Sequence, residues 1–318
     1  MATPALDVLV LGDSNVDLIV RSQDPTPAFG QEKLVEDLIL TIGGSASIFA
    51  CQAARLGLRT GLASIVGADE FGDYMLRALA ARGVDTRRMA RSEQLKTGAT
   101  ISLSTAHDRA LLTFPGTIAA LESSSIDPAW FAEARHVHVA SYFLQPQLAA
   151  GLAGLLAVAR RAGATVSLDT GWDPAERWDG GLPAVLEQVD IFLPNEIEAQ
   201  RITGLPHVEA ALERLAGQVP VVVIKLGAQG AIARHGQELA RAPSLPVEVV
   251  DTTGAGDSFD AGFVYGYLQG LPLTECLRVA VACGSLSTRA AGGTAAQPTL
   301  AEVLAAGAAN GLVASRGR

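Results

Sequence analysis

Short runs of β-branched and aliphatic residues, each closed by a polar or glycine-bearing turn and followed by helical spacing, recur along the 318-residue chain. No other feature constrains its fold as strongly. The run from Leu6 ends at Gly12-Asp13-Ser14-Asn15-Val16-Asp17, that from Thr165 to Leu168 at Asp169, that from Val189 to Leu193 at Pro194-Asn195, and that from Val221 to Ile224 at Lys225-Leu226-Gly227. Continuous apolar runs are the mark of strands buried on both faces. Their alternation with helical stretches predicts an α/β fold: a doubly wound, mostly parallel sheet flanked by helices. One domain over residues 1–318 is expected, with ligands gathered beyond the carboxyl ends of the strands.

One junction carries more chemistry than the others. From Val249 to Phe263 the chain reads VVDTTGAGDSFDAGF. An apolar approach gives way to Thr252, Thr253 and a Gly254-Ala255-Gly256 turn, then to the helical spacing of Phe259, Phe263 and Tyr267. A loop ending at a helix N-terminus presents unpaired amides and the positive end of the helix dipole, which favour a phosphate. A carboxylate there, Asp257, suits a hydroxyl that must lose its proton while the amides neutralise a transferring phosphoryl group. The same residues also make sense as a tight turn whose aspartate charges the first helical turn.

This stretch resembles the C-terminal signature of the ribokinase-like, PfkB-type carbohydrate kinases. The Gly43-Gly44 turn, which opens an Ala-rich helix closed by Gly57, resembles the family's first signature, and Val66-Gly67-Ala68-Asp69-Glu70-Phe71-Gly72 its VGxDxxG run. The resemblance extends from about Leu6 to Leu300 and implies a ribokinase-like fold with a small β-strand lid, formed by about 14–41 and 96–115. It further implies ATP-dependent transfer of the γ-phosphoryl group to a primary hydroxyl of a sugar. Carried over by position, Asp257 is the general base and Gly254, Ala255 and Gly256 form the anion hole. Asn15 and Asp17 grip the sugar, with Gly43 and Gly44 against it. Asn195, Lys225 and Gly227, together with Gly254 and Gly256, meet the nucleotide. Glu198 places Mg²⁺ through water, and Asp251 and Thr253 fall where many members bind a monovalent cation, K⁺. Asp169 is a secondary candidate near substrate and phosphate. The lid often pairs two subunits, so a homodimer is the expected assembly.

Several of these residues have complete local explanations as well. Asn15 and Asp17 fit an Asx-type turn, Asp169 another before Pro174, Asn195 and Glu198 a helix-capping pair, and Lys225 a snorkelling strand-end lysine. His136 and His138 alternate on one face of a strand, which is no metal site by itself. The chain departs from the family's pattern at Ile48 and Val281, where asparagines are usual. Ile48 removes a polar side chain from the expected sugar pocket and opens a second reading, a nucleoside kinase on the same fold; a non-catalytic sugar or nucleotide sensor is a third. Ser45 stands where some members carry lysine, leaving no sign of a phosphosugar.

With 49% hydrophobic residues the chain can bury a large core. A net charge of −9 with no Lys/Arg cluster argues against nucleic-acid or anionic-membrane partners. Cys51, Cys276 and Cys283 share no metal-like spacing and are odd in number, which fits a reducing, cytoplasmic compartment. No basic leader or membrane-length apolar stretch is read. No Walker A sequence is present, which disfavours a P-loop enzyme.

Overall fold

A computed structural model describes residues 4–104 and 109–309. From the amino end, β1 (Leu6–Leu11) leads into β2 (Asn15–Arg21), β3 (Asp37–Gly43), α1 (Ser45–Arg55), β4 (Thr60–Gly67), α2 (Glu70–Ala81), β5 (Asp85–Ser92), β6 (Gly98–Ser104) and β7 (Arg109–Phe114). The chain continues through β8 (Ala134–Val139), α3 (Pro146–Arg161), β9 (Thr165–Leu168), α4 (Leu182–Leu186), β10 (Ile191–Phe192), α5 (Glu196–Thr203), α6 (Val208–Ala216), β11 (Val221–Lys225), β12 (Ala231–His235) and β13 (Glu238–Ala242). It closes with α7 (Ala255–Leu268), α8 (Leu273–Ser287) and α9 (Leu300–Ala309).

The main sheet has nine strands in the order β13-β12-β11-β10-β9-β8-β1-β4-β5. It is parallel from β5 to β11, and the hairpin β12–β13 adds an antiparallel edge. Side chains alternate across it, as strand geometry requires. Leu9, Leu11, Val137, Val139 and Phe192 pack with α3 to α6 on one face. Val8, Val10 and Leu62 pack with α1 and α2 on the other, and Ile191, Val221 and Val223 pack there with α7 and α8. The alternating runs thus fold as the sequence predicts, into a sheet covered by helices on both sides.

Four strands stand apart in a second sheet of order β3-β2-β6-β7. β2 runs antiparallel to β3 and parallel to β6, and β6 runs antiparallel to β7. These strands fall within the segments 14–41 and 96–115 that the resemblance assigns to a lid, though β3 continues to Gly43 and residues 105–108 lie outside the described residues. The register sorts the side chains. Asp17 lies opposite Thr41 and Thr100, and Thr100 opposite Thr113, on the inner face. Leu18 lies opposite Leu40 and Ile101, and Ile101 opposite Leu112, on the outer face. Leu38, Leu40, Ile101, Leu112 and Phe114 are all exposed there.

Some boundaries differ from the sequence reading. Gly12 and Asp13 do end β1, whereas Asn15 and Asp17 are the first residues of β2 rather than a loop. The Ala/Leu-rich helix α3 starts at Pro146, whose fixed φ and missing N–H suit a first helical position. The apolar approach at Val247 to Val250 forms no strand, and Val250 and Asp251 instead donate to the carbonyl of Thr288 at 2.8 and 3.1 Å.

Candidate active site

The amino end of α7 is the best-fixed feature of the site. Gly254 adopts φ +71°, and a Cβ there would lie 2.8 Å from both Gly293 Cα and Ile48 Cγ2, so only glycine fits. Ala255 donates to Thr252 O at 3.2 Å, while the next amides, of Gly256 and Asp257, begin the helix with no intrahelical carbonyl available to them. Further along α7, Gly262 and Gly266 bring the helix against α8. A Cβ on Gly262 would sit 2.9 Å from Ala280 Cα and Cys283 Sγ, and one on Gly266 2.9 Å from Cys276 Cα. Residues of α8 thereby fix where the turn presents its amides.

Two cavities meet at this turn. One, of ≈ 300 Å³, is lined by Asn15, Asp17, Gly44, Ile48, Gly254 and Asp257 among others. The other, of ≈ 410 Å³, is lined by Lys225, Gly227, Ala255, Gly256, Phe259 and Val281 among others. Thr252 borders both. The inner face of the second sheet roofs the first cavity through Asp17, Ile19, Thr100, Ser102, Leu111 and Thr113. The structure therefore gathers Asn15, Asp17, Gly44 and Asp257 in one space and Lys225, Gly227 and Gly256 in the next. Gly43 stands behind Gly44 against Asn15 and Asp17, where an added Cβ would fall 2.1 Å from Asp17 Oδ1. Asn15 Nδ2 donates to Asp17 Oδ1 at 3.0 Å, which orients that carboxylate.

Asp257 is 9% exposed. Burial, reinforced by the Asp169 carboxylate, pushes its pKa well above the ordinary range, while Lys225 and the Ser45 hydroxyl pull the other way. Asp13, which the sequence reading passed over as part of a turn, lines the same cavity. Its carboxylate accepts from the amides of Ala46 and Ser45 at 3.1 and 3.2 Å and so caps α1 from the end of β1, with burial raising its pKa.

On the far side of the turn, Asn195 and Glu198 form a reciprocal capping box. Glu198 N donates to Asn195 Oδ1 at 2.9 Å, and Asn195 N donates to Glu198 Oε2 at 2.8 Å. Burial, then the Asp169 carboxylate, pushes Glu198 up to about 7. Lys225 Nζ lies between Asp260, at 3.0 and 3.1 Å, and Asp169, at 3.3 Å. Burial opposes its charge, but the carboxylates of Asp169, Asp260 and Glu198 outweigh that effect and raise its pKa. Asp260 was not singled out from the sequence. Its placement one helical turn after Asp257 is a local signal, but its partner is 35 residues away.

Three carboxylates, Asp169, Asp260 and Glu198, around a single ammonium make this corner suited to a dication. No group of three or more His, Cys, Asp or Glu side chains among the described residues could by itself hold a metal. That fits Mg²⁺, which keeps several waters and uses few protein carboxylates. Asp251 and Thr253 are spent on loop closure: Asp251 Oδ1 accepts from Thr253 N and Oγ1 at 2.9 and 2.7 Å, and Oδ2 from Gly292 N at 2.8 Å. His136 and His138 lie within the sheet, hydrogen-bonded to Thr165 and Ser167 at 2.7 Å.

Known proteins are similar to this chain over most of its length. A family model for pfkB family carbohydrate kinases matches residues 5–300. The chain is 30% identical over 309 residues to a fructokinase from Klebsiella pneumoniae, covering 92% of this chain and 96% of that one. It is 29% identical over 281 residues to a nucleoside kinase from Methanothermobacter thermautotrophicus, covering 88% of each. Among solved structures it is similar to an E. coli protein of the ribokinase II type in complex with ATP and Mg²⁺, with 27% identity and a TM-score of 0.85, covering 95% of this chain and 98% of that one. Among the described residues no helix is long and apolar enough to cross a membrane.

Proposed function

The chain belongs to the pfkB family of carbohydrate kinases, and we propose that it transfers the γ-phosphoryl group of ATP to a primary hydroxyl of a sugar, with Asp257 as general base. The observation that carries this reading is the α7 N-terminus between two cavities, with Asp257 facing one and Gly256 facing the other. The sugar occupies the ≈ 300 Å³ cavity, where Asn15 and Asp17 hold its hydroxyls. ATP occupies the ≈ 410 Å³ cavity, with its phosphates toward Gly227 and Gly256. The attacking O–H gives its proton to the Asp257 carboxylate as the oxygen bonds to the γ-phosphorus, and the bond from that phosphorus to the β,γ-bridging oxygen breaks to release ADP. Burial and the Asp169 carboxylate raise the Asp257 pKa, which makes it a stronger proton acceptor than an ordinary carboxylate. Of the amides that the resemblance assigns to the anion hole, those of Gly254 and Gly256 neutralise the charge carried by the phosphoryl oxygens, whereas the Ala255 amide already donates to Thr252 O.

Mg²⁺, when bound, neutralises and orients the phosphates; Glu198 and Asn195 would hold it through water, since both Glu198 oxygens already accept from Asn195. No cation is assigned to Asp251 and Thr253, whose hydrogen bonds close their own loop.

A specific observation favours a second acceptor class. Ile19, Ile48, Leu111, Ile118 and Leu144 give the acceptor cavity an apolar wall, which rewards a nucleoside base more than further hydroxyls. Mg·ATP-dependent ADP release across pentoses, hexoses, ketoses, sugar acids and nucleosides decides between them. Turnover of a free sugar supports the first reading and turnover of nucleosides alone supports the second. Binding of ATP and an acceptor with no ADP release would overturn both in favour of a sensor.

The exposed outer face of the second sheet is also assigned to a second copy of the chain. Leu40, Leu18, Ile101 and Leu112 form a row across all four strands, flanked by the exposed Leu38 and Phe114. A contiguous apolar sheet face of this kind marks an interface rather than a solvated surface.

A further inference from the structure

The buried Lys225 is not explained by gripping the nucleotide. Its side chain is 12% exposed, and its ammonium is shared by Asp260, itself 1% exposed, and Asp169. An ammonium has three donors, so these carboxylates take most of its capacity. What remains faces the α7 turn: a Cβ built on Gly256 would stand 3.6 Å from Nζ, which places the charge beside an anion-hole residue in the cavity that both line. Two elements converge to put it there. Lys225 ends β11, and Asp260 lies on α7 one turn beyond Asp257, so the Lys225–Asp260 pair ties the strand end to the catalytic helix.

We infer that Lys225 is a positioning residue for phosphoryl transfer: clamped by Asp260 and Asp169, it fixes one positive charge beside Gly256 at the edge of the ≈ 410 Å³ cavity. There it favours the charge distribution of the transferring group over that of bound nucleotide. This rests on the kinase reading above. Asp260 holds the ammonium in place and keeps the buried charge compensated, because a lone lysine in this position would shed its proton.

Replacing Lys225 alone leaves Asp260 and Asp169 as uncompensated buried carboxylates and destabilises the fold for reasons unrelated to catalysis. The test therefore compares Lys225→Met with the double variant Lys225→Met/Asp260→Asn, on an acceptor that the wild type turns over. Thermal unfolding, kcat, KM for ATP and calorimetric Kd for Mg·ADP are measured for each. The expected result is that the double variant regains much of the lost Tm, yet kcat stays about 100-fold down, the scale of losing one oxyanion-stabilising group. Its Kd for Mg·ADP is expected to change less than about threefold, since little of the effect lies in ground-state binding. Recovery of kcat along with Tm would show a purely structural pair and overturn the inference. So would a loss confined to Mg·ADP affinity and KM, which would make Lys225 a nucleotide contact. Absence of wild-type turnover on every acceptor is a different outcome: it sinks the kinase reading and takes this inference with it.

Discussion

Ser167 serves two imidazoles with one hydroxyl. Its Oγ is 2.7 Å from both His136 Nε2 and His138 Nδ1, and a hydroxyl that donates to one of them holds that ring nitrogen unprotonated while accepting from the N–H of the other. Phe49 stacks on His138 with ring centroids 3.7 Å apart, completing an enclosure that leaves no water to solvate a charge. Burial holds the His136 pKa down to about 3 and that of His138 well below its ordinary range. Unfolded, both rings protonate near 6.5. As pH falls the unfolded chain therefore takes up protons first, and the contribution of His136, complete above 6.5, declines toward 3 at about 1.4 kcal/mol per pH unit. The buried carboxylates Asp13, Asp257 and Asp260, with raised values, push in the opposite direction, so the prediction concerns a difference. The stability advantage of wild type over His136→Gln, from urea unfolding, should shrink between pH 6.5 and 5; a constant difference would contradict it. Of the site residues, Asp257 was legible because its signal lies within one turn of helix. Asp13 and Asp260 were not, since their partners Ala46 and Lys225 lie 33 and 35 residues away.

At the scale of elements, the α7–α8 seam sets the catalytic turn. Glycine in a helix interior costs about 0.5–1 kcal/mol relative to alanine, so Gly262→Ala would stabilise an isolated helix. Here the added methyl would sit 2.9 Å from Ala280 Cα and Cys283 Sγ, and overpacking of this kind costs about 1–3 kcal/mol. Gly262→Ala is expected to lower Tm, and to lower kcat at a temperature where the variant is still folded, because α7 must back away from α8. An unchanged or higher Tm would mean the seam is looser than described. Elements written locally were legible: the capping box at Asn195 and Glu198 spans four residues, and the run from Val221 to Ile224 announces its strand by unbroken apolarity. The start of α3 and the absence of a strand at Val247–Val250 were not, because the latter segment is held by the Thr288 carbonyl, a distant partner.

At the scale of the molecule, the strand types were legible but the strand order was not. Nothing near β1 states that its neighbours are β4 and β8, since that order is settled by how helices cover both faces. The second sheet was readable as strands outside the main sheet, and its two-faced character emerges only from register. If the outer face pairs two copies, Leu112→Asp with Phe114→Asp should convert a dimer to monomer in sedimentation velocity without unfolding it, as both side chains are more than half exposed. A wild-type monomer at high micromolar concentration would contradict that assignment. The claim that unites these levels is that acceptor and ATP cavities meet at one carboxylate. It is tested most directly by Mg·ATP-dependent ADP release on the best acceptor, comparing wild type with Asp257→Asn. The account predicts a loss of kcat of about 10²–10⁴-fold with Tm and nucleotide binding retained; a folded variant that turns over like wild type would contradict it.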